Sequence, residues 1–476
     1  MVGVPRSSGC ALCVKRRVKC DERVPGCAKC ETYRKPCPGY DKGFKFIAGK
    51  PYRTRRRQSG HTDRKSPGST SQTCINNNAS TSHSVALREG PSSLFVSADL
   101  NLQQSLGALV HEFSQPAPID RKHVVSHWLG FLPSIYGCSQ TLDATIRSFV
   151  AHHVGRASQN EQMIVYARSA YGEALHRLRK SLECPSESLS SHVFCAVVLL
   201  CMYEVLTEAK LFTDHENPES WMKHAQGLGQ LIKIRGPDRY RNELDISLLK
   251  ASRGLIVMHS MFAGEDCFLA SEEWHRVMRY QSSTEIPPEF HDLIEEFFGH
   301  FTHSPSLVHK LYSLKGMDIT TSEALQVISQ ALTQALDMQR KMAIWYDRWT
   351  QTASFPTEAL STTGDGLYPV ILTYNDMIDA TIYCGYYSYM VIIHETLKTF
   401  SYPGPHEAMV IYFRDQICRS VEFNSVGILG PYRMGFPLRV AFEVGDPATR
   451  SWIISRLQEF SKTYAAARPE NFESIS

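Results

Sequence analysis

Six cysteines crowd the N-terminal part of the chain: Cys10, Cys13, Cys20, Cys27, Cys30 and Cys37. Their spacing is a repeat, because the triple Cys10, Cys13, Cys20 recurs seventeen residues later as Cys27, Cys30, Cys37. Two copies of one loop imply a pseudo-twofold arrangement. Thiolates in such numbers are metal ligands, and a structural zinc ion takes four of them in a tetrahedron at about 2.3 Å. Six is too many for one zinc. Two zincs need eight ligand positions, which six sulfurs fill only if two of them bridge, and symmetry nominates the first cysteine of each repeat, Cys10 and Cys27. Three disulfides or isolated buried thiols are the plainer alternatives. Both fit poorly: the N-terminus MVGVPRSSGC has no apolar signal core, so the chain is expected to stay where thiols remain reduced, and the segment has almost no core-forming residues.

Two zincs and six thiolates carry a net negative charge, which would repel phosphate unless neighbouring cations reversed the field. Lys15, Arg16, Arg17 and Lys19 supply them, all between Cys13 and Cys20. Arginine can donate two hydrogen bonds to guanine O6 and N7, and lysine offers a point charge to the same atoms. The matching stretch of the second repeat, ETYRKP, is less basic. The first half therefore reads as base-contacting and the second as backbone-positioning. Charge along the whole chain agrees with an anion-binding head. Residues 1–65 hold 18 Lys/Arg against 5 Asp/Glu, a net of +13, while the remainder holds 33 against 43, a net of −10.

The segment GCALCVKRRVKCDERVPGCAKCETYRKPC resembles the fungal binuclear zinc cluster family of transcription regulators. The resemblance implies two bound Zn2+ ions and a first short helix that enters the major groove of double-stranded DNA, typically at CGG-type triplets. It places Arg17 where the family's base-contacting lysine lies, with Lys15, Arg16 and Lys19 flanking it, and matches Pro25 to the proline that turns the loop between the halves. Val14 and Arg17 depart from the commonest residues at their positions. Neither touches the expected metal site.

After Cys37 the chain reads PGYDKGFKFIAGKPYRTRRRQ, in which Arg53, Arg55, Arg56 and Arg57 close a basic stretch interleaved with aromatics. This suits an arm that tracks phosphates and doubles as a nuclear import signal, giving a nuclear protein; a solvated basic tail is the plainer reading. No apolar heptad runs between Pro38 and Ser93, so a homodimer would have no coiled-coil seam there. Residues 59–93 contain nine Ser, four Thr and three Asn without apolar periodicity, the composition of a flexible tether.

What must position the head and carry any partner surface is the long remainder, which is helical in pattern nearly everywhere. Tyr166, Ala170, Ala174, Leu178 and Leu182 recur every four residues before Pro185. VFCAVVLLCMYEVL is apolar on all sides and predicts a central helix. Trp221, Ala225, Leu228 and Ile232 form a stripe stopped by Gly236-Pro237, and Thr320 with Glu323 makes a capping box for a long helix bearing Leu325, Ile328, Leu332, Leu336 and Trp345. A last stripe runs Met409, Phe413, Ile417, Val421. The architecture expected is a small binuclear zinc cluster module with its basic arm (1–58), a disordered Ser/Thr/Asn-rich linker (59–93) and a large all-α regulatory domain (94–476). No run reaches the length of a membrane span.

The stretches YGEALHRLRKSLECPSESLS, VVLLCMYEVL, WMKHAQGLGQLIKIRGP and GFPLRVAFEVGDPATRSWIISRL look like the second type of fungal transcription factor regulatory domain. That resemblance implies contacts with transcription machinery or co-regulators, and control of pathway-specific genes, including secondary-metabolite clusters. Enzymatic chemistry is not expected. Gly227-Leu228-Gly229 lies in a helical stripe without a preceding strand, and His394-Glu395 lacks a second histidine, with Lys398 in its place. The competing class is a zinc-scaffolded protein–protein interaction or co-regulator protein without base readout.

Overall fold

The computed structural model describes residues 11–21, 23, 27–35, 37, 91–114, 127–206, 220–280, 287–314, 317–427 and 429–461. Two compact units divide the chain, Met1–Ala86 and Leu87–Ser476.

Among its described residues the first unit contains two single-turn helices, α1 (Ala11–Lys15) and α2 (Ala28–Thr32). Helices this short have no stability of their own, so other contacts must hold them. Their ends repeat in detail. Val18 N–H donates to the Cys13 carbonyl at 3.1 Å and Lys35 N–H to the Cys30 carbonyl at 3.2 Å. Arg16 N–H donates to Leu12 at 3.0 Å and Tyr33 N–H to Lys29 at 3.3 Å. Each pair is the other moved by seventeen residues, so the repeat legible in the cysteines extends to the backbone. Both turns end on an arginine with φ 55°, Arg17 and Arg34, in the left-handed position that closes a helix and turns the chain back.

The second unit is a largely helical body, as the pattern predicts. α3 (Pro91–Ser114) and α4 (Leu132–Ile135) precede a tight pair, α5 (Gln140–Ala157) and α6 (Glu161–Glu183), joined by a short turn. At Gly155 the two helices come so close that a Cβ would lie 2.9 Å from Ile164 Cγ1. α6 buries Ala167, Ala170, Tyr171 and Ala174, whereas Tyr166 and Leu182 of the expected stripe are exposed. A strict four-residue spacing drifts around a helix of 3.6 residues per turn, so its ends leave the core face. α7 (Ser191–Leu206) is buried around nearly its whole circumference, as expected of a helix apolar on all sides. In α8 (Ser220–Arg235), Ala225, Leu228 and Ile232 are buried, and Gly236 at φ 70° ends the helix before Pro237.

α9 (Glu243–Ala263), α10 (Glu272–Met278), α11 (Pro288–Phe301) and α12 (Ser304–Ser313) lead to the long α13 (Ser322–Thr352). Its N-cap is Thr321, whose hydroxyl accepts from Ala324 N–H at 3.2 Å, and not Thr320, whose own hydroxyl donates to Asp318. The buried face of α13 is Ala324, Ala331, Ala335, Met338, Met342, Trp345 and Trp349. Leu332 and Leu336 flank that face and Leu325 is exposed. Trp345, Tyr346 and Trp349 of α13 meet Tyr383 and Tyr386 of α14 (Met377–Thr399), whose side chains are buried along most of its length. Between them a hairpin, β1 (Thr357–Leu360) and β2 (Val370–Thr373), pairs Thr357 with Thr373 and Leu360 with Val370. Four-residue strands offer too few positions for an alternation to be read from sequence, so the pattern predicts a body without strands. α15 (His406–Arg419), α16 (Val421–Asn424), α17 (Gly430–Glu443) and α18 (Pro447–Phe460) complete the core. Among the described residues, no helix is long and apolar enough to cross a membrane.

Candidate metal centre and nucleic-acid interface

Five of the six expected ligands are described; Cys10 lies outside the described residues. Cys13, Cys27 and Cys30 are buried together, with Leu12, Cys20 and Cys37 packed around them. Cys27 is the N-cap of α2, and its sulfur accepts from Cys30 N–H at 3.4 Å. The Cys13 and Cys27 sulfurs are 3.6 Å apart. A disulfide would require about 2.05 Å. Two thiolates on one tetrahedral zinc, each about 2.3 Å from the metal, sit about 3.8 Å apart.

The ligand atoms of Cys13, Cys20 and Cys27 lie within 4.8 Å of one another, and so do those of Cys27, Cys30 and Cys37. Cys27 belongs to both triads. Each triad lacks one sulfur of a tetrahedron, and a single further thiolate shared by both metals would complete the set. The donor chemistry therefore fits two zinc ions. Burial pushes the Cys27 thiol above its ordinary value, and a coordinated divalent cation reverses that by deprotonating it.

Around the sulfurs, side chains tie the halves together. The Asp21 carboxylate accepts from Ala28 N–H at 3.2 Å, and this bond holds its pKa below the usual value. Arg23 pairs with Glu31. The Arg16 guanidinium lies 3.6 Å from the Tyr33 ring centroid and donates to the Lys29 carbonyl at 3.4 Å. Of the four cations between Cys13 and Cys20, Arg16 thus spans the pseudo-twofold. Lys15, Arg17 and Lys19 are exposed and form no ion pair among the described residues. Tyr33, Asp21 and Arg34 are contributions that sequence reasoning missed. The seventeen-residue shift was the available signal for Tyr33 and Arg34, since it maps Arg16 onto Tyr33 and Arg17 onto Arg34; it offers none for Asp21. Pro25 and the arm residues Arg53, Arg55, Arg56 and Arg57 lie outside the described residues.

Residues 8–45 match the family described as the fungal Zn(2)-Cys(6) binuclear cluster domain. Residues 131–374, more than half of the chain, match the fungal specific transcription factor domain. The chain belongs to this fungal transcription factor family. Its cluster domain binds two zinc ions. Among curated proteins, the family member is 23% identical over 202 residues to the uncharacterized protein AN5342 of Emericella nidulans, covering 42% of this chain and 41% of that protein. White-opaque regulator 2 of Candida albicans is 58% identical over 33 residues, 7% of each chain. The chain thus spans less than half the length of these relatives. No solved structure matches it.

Elsewhere the fungal transcription factor family member shows no second assembled thiol or imidazole centre among the described residues. Gly227 and Gly229 lie inside α8, and Glu395 pairs with Lys398 at 2.6 Å. His152 is buried, whereas the His153 ring pairs with Glu112 at 2.8 Å. Cys195, Cys201, Cys267, Cys384 and Cys418 are buried thiols, and burial raises every one of them, Cys267 to about 11 and Cys201 to about 12. Protonated thiols in apolar surroundings are inert packing groups.

Proposed function

We propose that this protein is a nuclear regulator of transcription that reads short G/C-rich triplets in double-stranded DNA through a cluster of two zincs. The ligands are Cys10, Cys13, Cys20, Cys27, Cys30 and Cys37, with Cys10 and Cys27 bridging. The observation that carries the reading is the membership of Cys27 in two cysteine triads, each spaced for one tetrahedral metal. With both ions in place, α1 and α2 become the two arms of one rigid core. The left-handed turn at Arg17 then reverses the chain between Cys13 and Cys20 and leaves Lys15, Arg17 and Lys19 on the outside.

In this reading Arg17 contacts base edges, Lys15 and Lys19 flank it, and Arg16 braces the two halves through Tyr33. Arg53, Arg55, Arg56 and Arg57 track phosphates. Residues 1–58 form the DNA-binding head, 59–93 a tether, and 94–476 the body that meets co-regulators.

Selection of bound fragments from random-sequence DNA tests the proposal. Enrichment of a short G/C-rich triplet is expected, and its half-site spacing reports whether two heads bind together. Recovery of unselected sequence would overturn base readout in favour of a zinc-scaffolded protein–protein module. Replacing the four arm arginines with glutamine should flatten the salt dependence, because each lost phosphate contact removes about 0.9 from the slope of log affinity against log salt.

A further inference from the structure

We propose that a groove on the helical body, between α15 and the segment 367–370 at the start of β2, holds an extended peptide segment of a partner protein, with a main-chain amide on Gln416 and an apolar side chain against Tyr412. The groove has a volume of about 430 Å³, within the roughly 300 to 1,000 Å³ of ligand-binding clefts. The proposal rests on the reading of 94–476 as the body that meets co-regulators, and it names the chemistry of that contact.

One wall is a face of α15, on which Tyr412, Asp415, Gln416 and Arg419 recur at helical spacing. Gln416 is the decisive residue. It is 8% exposed, and its side-chain amide forms no hydrogen bond among the described residues. Its oxygen and nitrogen both keep accessible surface, and the side chain lines the groove. A carboxamide presents an acceptor and a donor side by side. Its complement carries N–H and C=O together, as successive peptide units do.

The charged groups of the groove are already compensated. Arg419 donates to the Val370 carbonyl at 3.0 Å and to Glu358 at 2.6 Å. Asp415 accepts from Arg414 at 2.9 Å and from the Tyr368 hydroxyl at 3.1 Å. Charge complementarity therefore selects a neutral occupant, and a nucleotide is disfavoured because its phosphate needs an uncommitted cation. Leu367, Pro369 and Val370 make the facing wall apolar. Both walls are open: Leu367 is 43% exposed and Tyr412 52%. Leu360, the cross-strand partner of Val370 and so on its face of the hairpin, is 78% exposed. A small molecule in its site has roughly 70 to 90% of its surface covered. Walls this exposed fit instead a chain that runs on past both ends and lays one side chain between them.

The test uses the full-length, zinc-loaded protein without DNA, so peptide binding and base readout fail separately. Octapeptides are selected from a random phage-displayed library, and the enriched sequence is synthesised and titrated by fluorescence polarisation. Enrichment of sequences sharing an apolar residue is expected, with affinity lost when the amide next to that residue is N-methylated. Gln416→Leu keeps the side-chain volume and leaves no partner unpaired, and it should weaken binding roughly tenfold through loss of two hydrogen bonds. Tyr412→Ala, at an exposed position, should weaken it roughly fivefold or more. Absence of enrichment would overturn the proposal, as would binding indifferent to both variants. Self-association abolished by Tyr412→Ala, with no peptide bound, would assign the groove to a second copy of the chain and overturn it. Peptide binding seen only after deletion of residues 462–476 would assign the groove to that segment, with the same consequence.

Discussion

The Cys13 and Cys27 sulfurs meet at 3.6 Å across the two halves of the cysteine repeat, and Cys27 also lies within 4.8 Å of Cys30 and Cys37. One thiol thus stands at the junction of two metal sites, whereas Cys37 belongs to a single triad. Replacing Cys27 with alanine should abolish both zincs, and replacing Cys37 should remove one. Native mass spectrometry of the full chain under reducing conditions reads the stoichiometry directly. A Cys27→Ala protein that keeps one zinc would show that the sulfur is not shared.

Arg17 and Arg34 occupy equivalent left-handed turns with φ 55°, a conformation glycine adopts without the Cβ penalty. Their side chains differ in expected role, one on bases and one on backbone. Glycine at either position should preserve the zinc cluster and relieve up to about 1 to 2 kcal/mol of strain. Arg17→Gly should nevertheless cost about 1 to 3 kcal/mol of binding to the selected triplet and little on scrambled DNA. Arg34→Gly should weaken both DNAs alike. Fluorescence anisotropy with the two duplexes separates these patterns, and equal losses from Arg17→Gly would remove it from base readout.

The cysteine spacing was the legible part of the site, because metal geometry leaves few ways to place clustered thiols, and Cys27, the first cysteine of the second repeat, stands in both triads. What it concealed was the use of Arg16, which a charge count groups with its neighbours but which the fold lays on Tyr33. That contact depends on the second half being folded back on the first, a long-range fact that a local reading of VKRRVK cannot contain. The helical body was legible where its helices are uniformly apolar, as in α7. It was less so in α13, whose core face uses alanines while the more conspicuous Leu325 faces solvent.

The α5–α6 pair depends on Gly155. An added Cβ would lie 2.9 Å from Ile164 Cγ1 and 3.1 Å from Ile164 N, so part of the obstacle is backbone that cannot rotate away. Gly155→Ala should destabilise the body by about 1 to 3 kcal/mol through overpacking, despite alanine's better helix propensity. Gly172, on α6, is the control, because a Cβ added there would meet nothing within 4 Å. Gly172→Ala should be neutral or stabilising by up to about 1 kcal/mol. Urea unfolding of both variants checks the contrast, and similar midpoints would mean the helices can part at no cost.

A buried histidine pair gives the body a specific sensitivity to acid. His394 Nδ1 and His406 Nδ1 are 3.0 Å apart, and the His394 ring stacks on Phe413 with centroids 5.9 Å apart. One nitrogen donates and the other accepts, so a proton added to the acceptor breaks the bond and places charge in an apolar site. Burial first, and His406 second, hold His394 down to about 4. The folded protein therefore binds fewer protons at this ring than the unfolded chain does. Its contribution to stability is complete above the ordinary 6.5 and is lost as pH falls from there toward 4, amounting to about 3 kcal/mol at most. Glu295, which burial alone would raise but Arg253 and Lys250 hold below 4.5, loses its charge only beneath most of that window. Urea unfolding between pH 7 and 4.5 should show stability falling with acid in the natural protein and falling less steeply in His394→Asn. Parallel curves for the two proteins would place the sensitivity at another residue.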